Sequence, residues 1–160
     1  MNTKLSGTIA LASFVALLSP FTLARDSRVD LSTRRAIYVT SSKTAIDLKN
    51  DKYVAAGGTI TVKKSQGEDC QANKCTFHLG IIAIKTGGPS TLNAYGQYTG
   101  AFGISGNTIV FGNGETTKQQ VLPVKLAVGK NVVTFTIDPQ NKIVETDEKN
   151  NAMTVTIVVE

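Results

Sequence analysis

The chain has 160 residues, 41% of them hydrophobic, with 17 basic and 12 acidic side chains, two cysteines and one histidine. That is enough for a single domain with a real core, and so modest a basic excess does not single out nucleic acid as a partner. Two thiols without a second pair or nearby histidines are half of a zinc site.

Met1 to Ala24 reads as a cleaved secretory signal. Lys4 supplies a positive n-region, Ile9 to Leu18 an apolar run, and Pro20 precedes Thr22-Leu23-Ala24, a small-x-small cleavage pattern. The apolar run is shorter than the ~20 residues a bilayer-spanning helix needs. The expectation is a mature chain from Arg25 to Glu160 in a secreted or periplasmic setting, with 16 basic against 12 acidic residues once Lys4 is gone. Arg25, Arg28, Arg34 and Arg35 make residues 25–35 a basic, flexible lead-in. Such an arm can touch an anionic membrane surface, but the reading taken is a solvated segment. Nothing aromatic is interleaved as single-strand binding would need, and export argues against nucleic acid.

From residue 36 to 160, short alternating runs follow one another between turn signals. Ala36 to Thr40 alternates through Ile37 and Val39, Ala45 to Leu48 does so weakly, and Thr59 to Lys63 follows Gly57-Gly58. Thr76 to Lys85 is apolar on both faces towards its end, which suits a central or bulged strand. Thr108 to Phe111 lies between Gly106-Asn107 and Asn113-Gly114, both hairpin signals. Gln120 to Leu126 carries Pro123, which predicts an edge strand or a bulge. Val133, Phe135 and Ile137 form one apolar stripe, and Val155, Ile157 and Val159 another. No stretch sustains a helical stripe. The pattern predicts an all-β, antiparallel sandwich of about seven or eight strands.

Two connections are long. Ser65 to Cys75 holds Cys70 and Cys75, and in an exported chain the first expectation for them is a disulfide that shapes a loop tip. Thr86 to Asn107 is rich in glycine and carries Tyr95, Tyr98 and Phe102. These form a candidate recognition loop, since tyrosine offers large area and a polar tip at small entropic cost. The alternative is a further hairpin with its aromatics packed on the sandwich.

Catalytic signals are lacking. His78 lies in a strand without a serine, cysteine or acid at motif spacing, and no nucleophile elbow, phosphate-binding glycine loop or metalloprotease motif is present. The chain reads as a non-enzyme. The most particular stretch is the connection Asp138 to Asn151, where Pro139 suits the second position of a turn and Asp138 can bond back to the backbone. Asp138, Asn141, Glu145, Glu148, Asn150 and Asn151 read as structural residues that satisfy loop backbone groups. The alternative is calcium, the only cofactor suggested, although the spacing is not that of an EF-hand and Lys142 and Lys149 dilute the charge.

At these residues the chain resembles CARDB domains, the cell-adhesion-related domains of bacteria. Asp138-Pro139, Asn141, Val144, Glu145, Glu148 and Asn150-Asn151 before an alternating last strand follow their Val-Asp-Pro, Asn, Val-x-Glu, Glu-x-Asn-Asn ending. A looser likeness covers Gly114-Glu115-Thr116-Thr117, Leu126-Ala127-Val128-Gly129 and Ala56-Gly57-Gly58, while Ser65-Gln66-Gly67 departs from the usual Asn-x-Gly. The resemblance implies an immunoglobulin-like sandwich used as an extracellular spacer or binding module, with no activity of its own. The functional expectation is an adhesion-type module recognising protein or cell-surface glycan. Its alternative is a periplasmic inhibitor or chaperone-like factor wedging into a protein through the Cys70–Cys75 tip or the Tyr95 to Phe102 segment.

Overall fold

The computed structural model describes residues 28–100 and 102–160; the expected signal segment and Arg25 lie outside the described residues. Eleven strands follow in order: β1 (Val29–Thr33), β2 (Ala36–Thr40), β3 (Lys52–Ala55), β4 (Thr59–Val62), β5 (Glu68–Gln71), β6 (Lys74–Gly87), β7 (Leu92–Gly100), β8 (Gly103–Phe111), β9 (Thr117–Ala127), β10 (Gly129–Ile137) and β11 (Ala152–Val159). They form two packed sheets, the β-sandwich that the alternation predicts. One sheet has six strands built around β6, which pairs β1, β2, β5 and β9; the other runs β4-β11-β10-β7-β8. Strand pairing is antiparallel except where β4 lies parallel to β11.

The strand count exceeds the seven or eight expected because several strands carry no clean alternation. β5 is part of the cysteine tip, and most of β7 lies within the glycine-rich segment. The weak run Ala45 to Leu48 is no strand: Ile46 instead packs with Ala36, Tyr38 and Ile82 on the outer face of the six-stranded sheet, and its amide donates to Gln119 Oε1 at 3.0 Å. That covered patch explains why β6 is apolar on both faces. β9 pairs only with β6 and is an edge, so Pro123 costs no ladder hydrogen bond.

The flexible lead-in also needs correction. From Val29 onward the segment is strand, because Val29, Leu31 and Thr33 share one parity and are buried while Asp30 and Ser32 face outward. β1 runs antiparallel to the end of β6, from Val29 opposite Gly87 to Thr33 opposite Ala83.

Between the sheets lies one continuous core that includes Phe77, Leu79 and Ile81 from β6, Phe111 from β8, Phe135 from β10 and Ile157 from β11. Burying each such side chain contributes about 1.5–3 kcal/mol. The chain passes from one sheet to the other at Val128, between β9 and β10. Asn131 holds that corner while almost fully buried: its Oδ1 accepts from the Ala127 amide at 2.9 Å, and its Nδ2 donates to the carbonyls of Ala127 (2.8 Å), Gly129 (3.0 Å) and Ile157 (3.3 Å).

If β1 is part of the core, Leu31→Ala should cost about 2–5 kcal/mol in urea unfolding, whereas Arg34→Ala, at an exposed position, should stay within about 0.5 kcal/mol. A near-neutral Leu31→Ala would return the segment to a solvated lead-in.

Candidate recognition surface

The glycine-rich segment is a hairpin of β7 and β8, paired from Leu92 opposite Phe111 to Gly100 opposite Gly103. This corrects the recognition-loop expectation for Tyr98, which is 1% exposed and packs edge-to-face on Phe135 with ring centroids 4.9 Å apart. Burial drives its phenol pKa well above the usual value. Gly96 makes room for this packing, since a Cβ there would sit 2.8 Å from Phe135 Cζ and from Ile109 Cδ1. Tyr95 has the opposite parity and lies on the outer face, 42% exposed. Phe102 is equally exposed, but at the far tip, where the Lys74 ammonium stands 3.8 Å over its ring. The three aromatics therefore occupy three different environments and do not form one surface.

The outer face of the five-stranded sheet is where the hairpin meets solvent. Its outward side chains run Thr59 and Thr61 on β4, Thr154 and Thr156 on β11, Val132, Thr134 and Thr136 on β10, Asn93, Tyr95, Gln97 and Thr99 on β7, and Ile104, Thr108 and Val110 on β8. Among the described residues of these strands, Lys130 is the only charged side chain pointing outward. Thr134 and Thr154 share a hydroxyl hydrogen bond of 2.8 Å across the β10–β11 ladder. The sequence reading did not single out this face. The alternation of Asn93, Tyr95, Gln97 and Thr99 marks it, but the intervening Ala94 and Gly96 conceal the strand.

The Asp138 to Asn151 connection closes the end of the same sheet. Asp138, with φ at +46°, and Pro139 begin a turn in which the Asn141 amide donates to the Asp138 carbonyl at 2.9 Å. The Asp138 carboxylate accepts from the Ile143 amide at 2.7 Å, and its amide donates to the Tyr95 carbonyl at 2.7 Å. Glu145 crosses to the other sheet. Its carboxylate accepts from the Leu31 amide at 2.5 Å and from Asn151 Nδ2 at 3.0 Å, while the Thr146 amide donates to the Val29 carbonyl at 2.9 Å. Glu148 accepts from the Glu145 amide and from Asn151 Nδ2, and Asn150 donates to Asp30. Of the oxygens suggested for calcium, the Asp138, Glu145 and Glu148 carboxylates accept from N–H donors, whereas Asn150 Oδ1 and Asn151 Oδ1 are buried with no hydrogen-bond partner; no group of three or more His, Cys, Asp or Glu side chains among the described residues is placed to hold a metal. Desolvation, aided by the nearby Glu148 and Asp138 charges, pushes the Glu145 carboxyl up to about 7 against the pull of its two donors.

Cys70 and Cys75 form a disulfide, with S–S 2.02 Å, joining β5 to β6. His78 is mostly buried, with Nε2 3.5 Å from a Glu68 oxygen that also pairs with Lys43 at 2.7 Å.

Much of this face lies within the stretch that comparison with known families picks out. Residues 93–155 match the CARDB family model. The matched stretch takes in β8, β10, nearly all of β7, the first half of β11 and the whole connection. Among solved structures, the chain is similar to the CARDB domain of the PF1109 protein of Pyrococcus furiosus, in complex with di-metal ions, at 16% identity over 83% of this chain and 90% of that one, with a TM-score of 0.49. It is also similar to the solution NMR structure of the same domain, at 17% identity over 83% and 96% of the two chains and a TM-score of 0.46. No curated protein matches the chain.

Two outcomes follow from this geometry. Tyr98→Ala should cost about 3–5 kcal/mol of stability, and Tyr95→Ala under about 1 kcal/mol; equal costs in urea unfolding would overturn the division between core and surface. A Glu145 whose folded pKa lies above its unfolded one binds its proton more tightly in the folded state. The stability it contributes is therefore present at acid pH and is lost as pH rises from the ordinary glutamate range through about 7. Glu145→Gln, which keeps an acceptor for Leu31, should flatten the fall in melting temperature between pH 5 and pH 8, and an unchanged slope would refute the assignment.

Proposed function

We propose that the protein is an exported, non-enzymatic binding module of adhesion type, recognising protein or cell-surface glycan through the outer face of its five-stranded sheet. The observation that carries this reading is that face: five strands wide, threonine-rich, with Lys130 as its one outward charge, and built largely by the CARDB stretch. The outer face of the other sheet is partly covered by the chain itself, through Ile46. An uncharged face with scattered exposed valine, isoleucine and tyrosine desolvates at lower cost than a charged one, which suits association.

One observation favours a second reading, that of an inhibitor or chaperone-like factor. The cysteine tip and the β7–β8 turn lie side by side, joined by Lys74 over Phe102, so the two long segments form one end of the molecule. The depression beside it is lined by Phe102, Ile104, Pro123 and Val124 together with Thr76, Ser105 and Lys125.

The test is a pull-down with the tagged mature protein from the producing organism's envelope and culture fluid at moderate salt. Retention on envelopes that soluble glycan abolishes supports adhesion. A single stoichiometric protein partner lost with Phe102→Ala supports the second reading. No retained partner from either fraction refutes both.

A further inference from the structure

Tyr95 stands as a ridge between two hollows on the outer face, of about 390 and 320 Å³. Gln97, Pro139 and Gln140 line the first; Asn93, Ala94, Thr108 and Ile143 line the second; Lys142 lines both. The ring is held in a set pose. The phenol end of Tyr95 lies against the Gly106 backbone, so that a Cβ added there would meet Oη at 2.5 Å and Cζ at 2.8 Å. Its carbonyl is fixed by the Asp138 amide. Asp138 itself, which borders both hollows, is 4% exposed and its carboxylate is bonded to the Ile143 amide. The site thus offers one aromatic surface, several planar amides, a threonine hydroxyl and a single exposed cation, Lys142.

We propose that this is a subsite for a neutral polysaccharide, with one sugar ring stacked on Tyr95 and its hydroxyls bonded by Asn93, Gln97, Thr108 and Gln140. The inference deepens the glycan branch of the proposed function and rests on it. A sugar ring presents an apolar C–H face and a rim of hydroxyls, and the complement is an aromatic plate flanked by side chains that both donate and accept. An anionic polymer calls for clustered cations, and the hollows have one. A protein partner anchors in desolvated apolar pockets, and these hollows are lined mostly by polar side chains. The threonine rows of β10 and β11 extend the same uncharged chemistry, giving an elongated polymer further hydroxyl contacts away from Tyr95.

Affinity electrophoresis of the exported protein through gels containing dextran, yeast mannan or mixed-linkage β-glucan provides the test. The expected result is retardation by at least one polymer, weakened about tenfold in Tyr95→Ala and kept within about threefold in Tyr95→Phe. Gly106→Ala should also weaken it by displacing the ring, and Phe102→Ala should leave it unchanged. Retardation by none of the three polymers, or retardation that survives Tyr95→Ala, overturns the proposal. Should Tyr95→Ala not fold, Gln97→Ala decides, because a bystander amide would leave retardation intact. If Tyr95→Ala still binds envelopes and soluble glycan still competes, the adhesion reading stands and this site falls.

Discussion

The corner at Val128 is the constraint on which the two-sheet arrangement turns. β9 belongs to one sheet and β10, almost without interruption, to the other, so the backbone must leave one ladder and enter the next within a single residue. Groups at such a corner lose their ladder partners and would be left unpaired in a buried setting, at a cost of about 1–3 kcal/mol each. Asn131 supplies the partners with one side chain, accepting from the Ala127 amide and donating to the carbonyls of Ala127, Gly129 and Ile157. No aliphatic residue could replace it without orphaning those groups. With the corner held, β10 lies between β7 and β11, its inward Val133, Phe135 and Ile137 complete the core, and its outward threonines complete the uncharged face.

A second tie closes the opposite side of the sandwich. Glu145 and Thr146, from the connection between β10 and β11, bond to the backbone of β1 in the other sheet. The residues shared with CARDB endings are concentrated here, and their side chains are directed at backbone amides and at one another. The same connection anchors the Tyr95 carbonyl through Asp138, so the structural residues of the stretch also set the level of the outer face around Tyr95. The raised Glu145 pKa is the electrostatic cost of bringing a carboxylate into a partly desolvated seam beside two other acids.

The two outer faces differ for a physical reason. On the six-stranded sheet the segment between β2 and β3 folds over and buries Ile46 against Tyr38 and Ile82. Over the five-stranded sheet no described segment does the same, and its outward side chains are mostly hydroxyls, amides and aliphatics, with Lys130 the one charge among the described residues of its strands. A soluble domain ordinarily covers exposed sheet with lysine and glutamate; their scarcity on so wide a face, Lys130 aside, is what makes it a binding surface in our reading.

Where the backbone alternates plainly, sequence alone determined the strands, because period-two burial is a local property. This holds for β4 and β9 to β11, for the edge strand or bulge that Pro123 predicts, and for the pairing of two cysteines five residues apart. The residues of the connection were legible for the same reason: turn chemistry and the CARDB-like ending are short-range signals. Tertiary structure alone decided the rest. Tyr95 and Tyr98 lie three residues apart and so face opposite ways in a strand, but glycines at 96 and 100 disguised the strand, and only Phe135 packing against Gly96 and Tyr98 shows which ring is core. β1 was hidden among arginines until β6 and Glu145 gave it partners, the latter 114 residues away in the chain. Contacts over that distance leave no periodic trace, because they depend on which strands the fold brings side by side.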